Sequence, residues 1–205
     1  MKSQLIRIGL ISVVVFYYVT AVHAAEKVAA CCLTNIAVAA KFTDKSLFQV
    51  ESKWTNDAGK QIKLGDLRGK VQIVTMFFAT CKYACPLLVR DMQRIEAALP
   101  EGIRERTGFV LITFDPERDS PTALRQYRAL HNLSAPAWNL LQGEPADIQE
   151  IAALLGVKYK KDSNGDFAHS NVITVLNPQG EIVWQQLGLN QETSGVIKAV
   201  VHAIE

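Results

Sequence analysis

The chain has 205 residues, 49% of them apolar and 20% charged, which is enough apolar material for one packed core and excludes the disordered and collagen-like classes. Lys and Arg number 22 against 20 Asp and Glu, and two of the cations, Lys2 and Arg7, lie in a leader segment. Without them the charges balance, so the composition carries no basic footprint of the kind nucleic acid needs, and no repeat or low-complexity tract divides the chain.

Residues 1–24 read as a signal peptide or a membrane anchor. Lys2 and Arg7 form a basic start, Ile8 to Val22 carries no charge, and Val22-His23-Ala24 has the small-residue pattern of a cleavage site, which would leave Ala25 first. The uncharged stretch is about 15 residues, shorter than the roughly 20 that span a bilayer as a helix. A second processing route is written in Val28-Ala29-Ala30-Cys31, which resembles a lipoprotein box, although Glu26 and Lys27 separate it from the apolar run. Each route places the protein in the periplasm or cell envelope, touching the membrane only through this segment, where thiols oxidise unless they are reduced or metallated. Residues 25–50 then form an N-terminal extension, and 51–205 the folded domain.

Trp54 to Lys60 reads as a β-hairpin turning on Asn56-Asp57-Ala58-Gly59. Val71 to Ala79 is a nearly unbroken β-branched and aromatic run, the mark of a central strand buried on both faces. After Cys81 to Cys85 a helix is expected with Pro86 as its first residue, carrying Leu88, Met92, Ile95 and Leu99 inward until Pro100 and Gly102 stop it. Phe109 to Phe114 is the next strand. Ser120 can cap a helix that begins at Pro121 and turns Leu124, Tyr127 and Leu130 inward. Trp138 to Leu141 reads as a strand, Ala146 to Leu155 as a helix ended by Gly156, and Lys160 to Asp166 as a polar loop. Asn171 to Asn177 and Glu181 to Leu187 form a hairpin across Pro178-Gln179-Gly180, and Ser194 to Ile204 closes the chain as a helix. This order, with early parallel crossovers and a late hairpin, predicts an α/β fold: a thioredoxin-like mixed sheet with helices on both faces and an N-terminal β-hairpin extension.

Open α/β sheets place their sites at the carboxyl ends of the strands, and Cys81 and Cys85 follow the expected central strand. Cys85 precedes Pro86 and is therefore expected near the helix N-cap, where the helix terminus favours a thiolate. Three intervening residues let both sulfurs face one point, where they can close a disulfide or hold a soft metal such as Cu(I). A purely stabilising disulfide fits poorly, because so short a loop removes little unfolded-chain entropy. His169 precedes the strand whose start faces the cysteine loop in a thioredoxin-like sheet. His23 lies in the leader, and His131 and His202 read as solvated helix residues. Met76 and Met92 read as core, which argues against a methionine-rich site.

The segments Phe78-Ala79-Thr80-Cys81-Lys82-Tyr83-Ala84-Cys85-Pro86 and Phe114-Asp115-Pro116-Glu117-Arg118-Asp119, with His169 ahead of Val172-Ile173-Thr174, resemble the Sco/SenC/PrrC family over roughly Trp54 to Ala203. The resemblance implies an exported copper chaperone that binds copper, as Cu(I) or alternatively as Cu(II), through Cys81, Cys85 and His169. It also implies a copper-receiving partner such as a subunit of cytochrome c oxidase, whose binuclear copper site many members help to assemble, with a copper donor or thiol reductant as further partners. Asp115 and Asp119 match the family's acidic pair near the site, and equally suit a strand end and a helix start. Cys31 and Cys32 fall outside the matched region and receive no role. The alternative is a thiol-disulfide oxidoreductase using Cys81 and Cys85 as a redox pair. Such enzymes generally use C-x-x-C and a cis-proline just before the facing strand, whereas Phe167-Ala168-His169-Ser170 has none.

Overall fold

A computed structural model of the chain describes residues 42–163 and 165–205. The leader, the lipoprotein-like box and the Cys31-Cys32 pair therefore lie outside the described residues. Among the described residues no helix is long and apolar enough to cross a membrane.

Among the described residues, nine strands and five α-helices follow one another as β1 (Trp54–Asn56), β2 (Gln61–Ile62), β3 (Val71–Phe77), α1 (Ala84–Ala98), α2 (Glu101–Arg104), β4 (Thr107–Thr113), α3 (Pro121–Leu130), β5 (Trp138–Gln142), α4 (Pro145–Leu154), β6 (Tyr159–Lys161), β7 (Phe167–His169), β8 (Val172–Leu176), β9 (Ile182–Leu187) and α5 (Ser194–Ile204). Seven strands form one sheet in the order β2-β1-β5-β4-β3-β8-β9, and β6 and β7 form a separate two-stranded arm. The neighbours β3 and β4, and β4 and β5, run parallel, while β8 and β9 return antiparallel. This is the thioredoxin-like mixed sheet, with the N-terminal hairpin joined to its edge through β1 and β5. Gly59, at φ +80°, makes the tight hairpin turn that a side chain would strain.

Every residue of β3 and of β4 is buried, as expected of mostly apolar strands covered on both faces. Alternation along β3 turns Phe77 toward α3, where its ring lies 5.0 Å from Tyr127. Val74 turns the other way, toward Ile151 and Leu155 around α4. Leu47 and Phe48, from the segment read as an N-terminal extension, are buried in the same core. So are Met76 and Met92, which stay clear of the site.

Three local features differ from the expectations. Helix α1 starts at Ala84, two residues before Pro86. A proline is tolerated there because first-turn N–H groups have no helical partner to lose. Leu130 points into solvent at 76% exposure, since the step of three from Tyr127 rotates off the inner face at the end of a short helix. The residue that continues that face is His131, half-buried with its ring 4.2 Å from Tyr127, so it is not the solvated histidine expected, and burial lowers its pKa. Lys160 and Lys161, expected at the start of a polar loop, belong instead to β6, which pairs with β7, and 162–163 and 165–166 lie in the loop between the two strands.

The register gathers three connections at one end of the sheet. Phe77 at the end of β3 aligns with Thr113 at the end of β4, and antiparallel pairing brings the start of β8 beside them. The Thr75 hydroxyl donates to the Val172 carbonyl at 2.7 Å, pinning that start. The cysteine loop, the Asp115–Asp119 turn and the arm that ends in His169 consequently converge.

Candidate metal centre

Cys81, Cys85 and His169, from three points in the sequence, meet with their ligand atoms all within 4.8 Å of one another. Cys85 Sγ lies 3.8 Å from His169 Nε2. His169 Nδ1 sits 3.2 Å from the Ser170 carbonyl oxygen. A carbonyl only accepts, so the proton belongs on Nδ1 and the Nε2 lone pair faces the sulfurs. The imidazole also rests against aromatic rings, its centroid 5.0 Å from Phe114 and 6.1 Å from Phe78. Both thiols are free.

The two sulfurs are not equivalent, and their polarity is the reverse of the one expected from Pro86. Cys85 lies inside the first turn of α1, fully buried, and its backbone N–H donates to Cys81 Sγ at 3.3 Å. The helix N-terminus is thus aimed at Cys81. The Cys85 thiol, donating to the Cys81 sulfur, holds the Cys81 pKa down to about 3 against burial, with the backbone N–H groups of Cys85 and Tyr83 lowering it further. The same bond, followed by burial, pushes the Cys85 thiol far up. Cys81 is therefore the thiolate and Cys85 the protonated partner.

Asp119 and Asp115 frame this loop without entering the triad. Asp119 is fully buried. Its Oδ2 accepts the Ala79 N–H at 2.9 Å and the Thr113 hydroxyl at 2.5 Å, tying the end of β4 to the start of the cysteine loop. Burial, the largest effect on it, raises its pKa. Asp115, also buried, pairs with Arg118. Arg118 and the cage of Phe78, Phe114, Tyr159 and Phe167 were not singled out from the sequence as site residues. Their signal was the aromatic residues flanking both motifs, which pack at centroid distances of 5.0 to 5.4 Å. His202 is exposed on α5, as expected. A cleft of about 700 Å³ opens over the triad, lined by Lys82, Tyr83, Arg118, Phe167 and His169 among others, and Tyr83 is 83% exposed at its rim.

With fold and triad in place, comparison with known proteins defines the class. The family model SCO1/SenC matches residues 41–205, and the chain belongs to that family. A Stutzerimonas stutzeri protein named as copper-binding is 29% identical over 120 residues, 57% of each chain. The SCO1 protein homolog of Bacillus subtilis is 26% identical over 132 residues, 62% of this chain and 67% of that one. The match thus spans little more than half of the first relative. Among solved structures, Arabidopsis thaliana ScoI with copper bound superposes with a TM-score of 0.64 at 25% identity, covering 75% of this chain and 95% of that one.

Proposed function

We propose that this protein is an exported copper chaperone that binds Cu(I) through Cys81, Cys85 and His169 and hands it to a copper enzyme. The acceptor we infer is the binuclear copper site of cytochrome c oxidase. The observation that carries the reading is the convergence of two sulfurs and one imidazole nitrogen within 4.8 Å. Metal–thiolate and metal–imidazole bonds of about 2.0–2.3 Å set three ligands of one ion about 3.5–4.0 Å apart, so the triad closes on an ion with shifts of under about an ångström. Soft thiolates with one imidazole and no carboxylate suit Cu(I). The name of the Stutzerimonas relative and the copper-bound Arabidopsis structure support the same ligand. An N-terminal signal or anchor would put the domain in the periplasm or cell envelope.

Metal analysis of the reduced chain tests the binding step. One Cu(I) per chain, held against a competing chelator and lost in Cys81→Ser, is expected; no retained copper would defeat the reading. A transfer assay to an apo copper protein tests delivery.

One observation favours a second reading, thiol-disulfide exchange that keeps an acceptor's cysteines reduced. A thiolate at Cys81 beside a buried thiol at Cys85 is the arrangement of an attacking and a resolving sulfur. His169→Ala separates the two, because exchange needs only the cysteines.

A further inference from the structure

The imidazole of the triad stands on the β6–β7 arm, which is not hydrogen-bonded into the main sheet as a strand. Two residues pin the base of the arm: Ser170 N donates to the Lys158 carbonyl at 2.9 Å and Lys158 N to the Ser170 hydroxyl at 2.8 Å. Toward its tip the arm meets Arg118, from the turn that follows β4. Arg118 Nε donates to the Asp115 carboxylate and its Nη2 to the Gly165 carbonyl. The guanidinium carbon also lies 5.9 Å from the Phe78 ring centre and 6.0 Å from that of Phe167. One planar fork therefore joins a fully buried carboxylate of the sheet end, the backbone of the arm, the ring ahead of the cysteine loop and the ring two residues before His169. Lys161 adds an exposed ion pair to Glu117 at 2.8 Å, which contributes little by itself.

We propose that Arg118 is the positioning residue for His169: through Asp115 it locks the arm to the sheet end and so holds the imidazole over the two sulfurs. The inference rests on the copper reading for its consequence, but not for its structural content. Lysine cannot replace arginine here, because a single ammonium lacks the fork that spans a carboxylate and a carbonyl and does not stack on the rings.

The test uses the full chain, reduced, in four forms: wild type, Arg118→Met, His169→Ala and the double variant. Competitive titration with a Cu(I) chelator should show Arg118→Met weakening copper by about 10–100-fold, the size typical of losing a residue that orients a ligand. His169→Ala should cost at least as much, and the double variant no more than His169→Ala alone. Losses that multiply in the double variant, or no loss in Arg118→Met, would overturn the proposal. A second readout needs no metal: the His169 ring carbon–proton signal, assigned by its absence in His169→Ala. It should shift or broaden in both Arg118→Met and Arg118→Lys while the His131 and His202 signals stay in place. An unchanged His169 signal, or restoration by lysine, would overturn it. Arg118→Lys leaves a cation beside Asp115 and keeps the test open should Arg118→Met fail to fold. If the wild type holds no Cu(I), the copper reading falls, and the ring signal still decides whether Arg118 positions His169.

Discussion

The cysteine loop and the histidine arm supply the same triad from opposite kinds of scaffold. Cys81 and Cys85 sit between the fully buried strand β3 and the first turn of α1, with backbone N–H groups aimed at Cys81 and Asp119 bracing Ala79. His169 ends a three-residue strand of an arm fastened by side chains and aromatic packing. Ligands on the sheet end are placed by the same hydrophobic burial that folds the domain. A ligand on the arm is placed by a few contacts that lie outside the ladder of the main sheet. On the proposed copper reading, the sulfurs would define where the ion goes and the imidazole how firmly it stays.

That contrast orders the expected effects of substitution. Cys81→Ser or Cys85→Ser should abolish both copper retention and disulfide formation, read by chelator competition and thiol titration; a cysteine variant that still holds copper would show that the sheet end is not the anchor. His169→Ala should cost at least about 10–100-fold in copper affinity yet leave exchange with a model disulfide intact. Equal loss of both activities would erase the distinction between the two regions.

Asp119→Ala removes the acceptor of the part-buried Ala79 N–H and of the buried Thr113 hydroxyl. Stranding buried donors costs about 1–3 kcal/mol, read as a lowered midpoint in denaturant. The Cys81 pKa is held down to about 3, so its thiolate persists far below the pH at which an ordinary cysteine protonates. Alkylation of Cys81 should change little between pH 8 and pH 6, about the range over which a free thiol loses most of its thiolate, while Cys85 stays unreactive. The sign for stability follows from a folded pKa below the unfolded one. The Cys81 contribution is complete above the unfolded value and declines as pH falls from there toward the folded value, so Cys81→Ser should flatten the acid limb. Smallest is Ser120→Ala, which removes the Oγ that accepts the Ala123 N–H at the start of α3 and should cost about 1 kcal/mol.

The two regions also differ in how far they could be read from the sequence. The sheet end announces itself, because Val71–Phe77 is a mostly apolar run, Ser120-Pro121 caps and starts α3 as written, and α5 spans Ser194–Ile204 as its pattern predicts. The cysteine pair and the late histidine were legible as a set. The arm was not: Tyr159–Lys161 and Phe167–His169 are three residues each, too short and too rich in lysine for alternation to register, and they pair only with each other. The polarity of the thiols was also misread. Pro86 suggests that the helix begins after Cys85, but it begins two residues earlier, at Ala84, and the Cys85 N–H is offered to Cys81. Arg118 stood inside a recognised motif, and only the fold shows that Gly165, 47 positions away, is its partner.

The central claim, that one ion is held jointly by the sheet end and the arm, is tested most directly by X-ray absorption of the Cu(I)-loaded, reduced chain. Two sulfur scatterers and one imidazole nitrogen are expected around copper, matching the triad of Cys81, Cys85 and His169, with the nitrogen contribution absent in His169→Ala. A wild-type spectrum with sulfur alone, or one unchanged by His169→Ala, would contradict it.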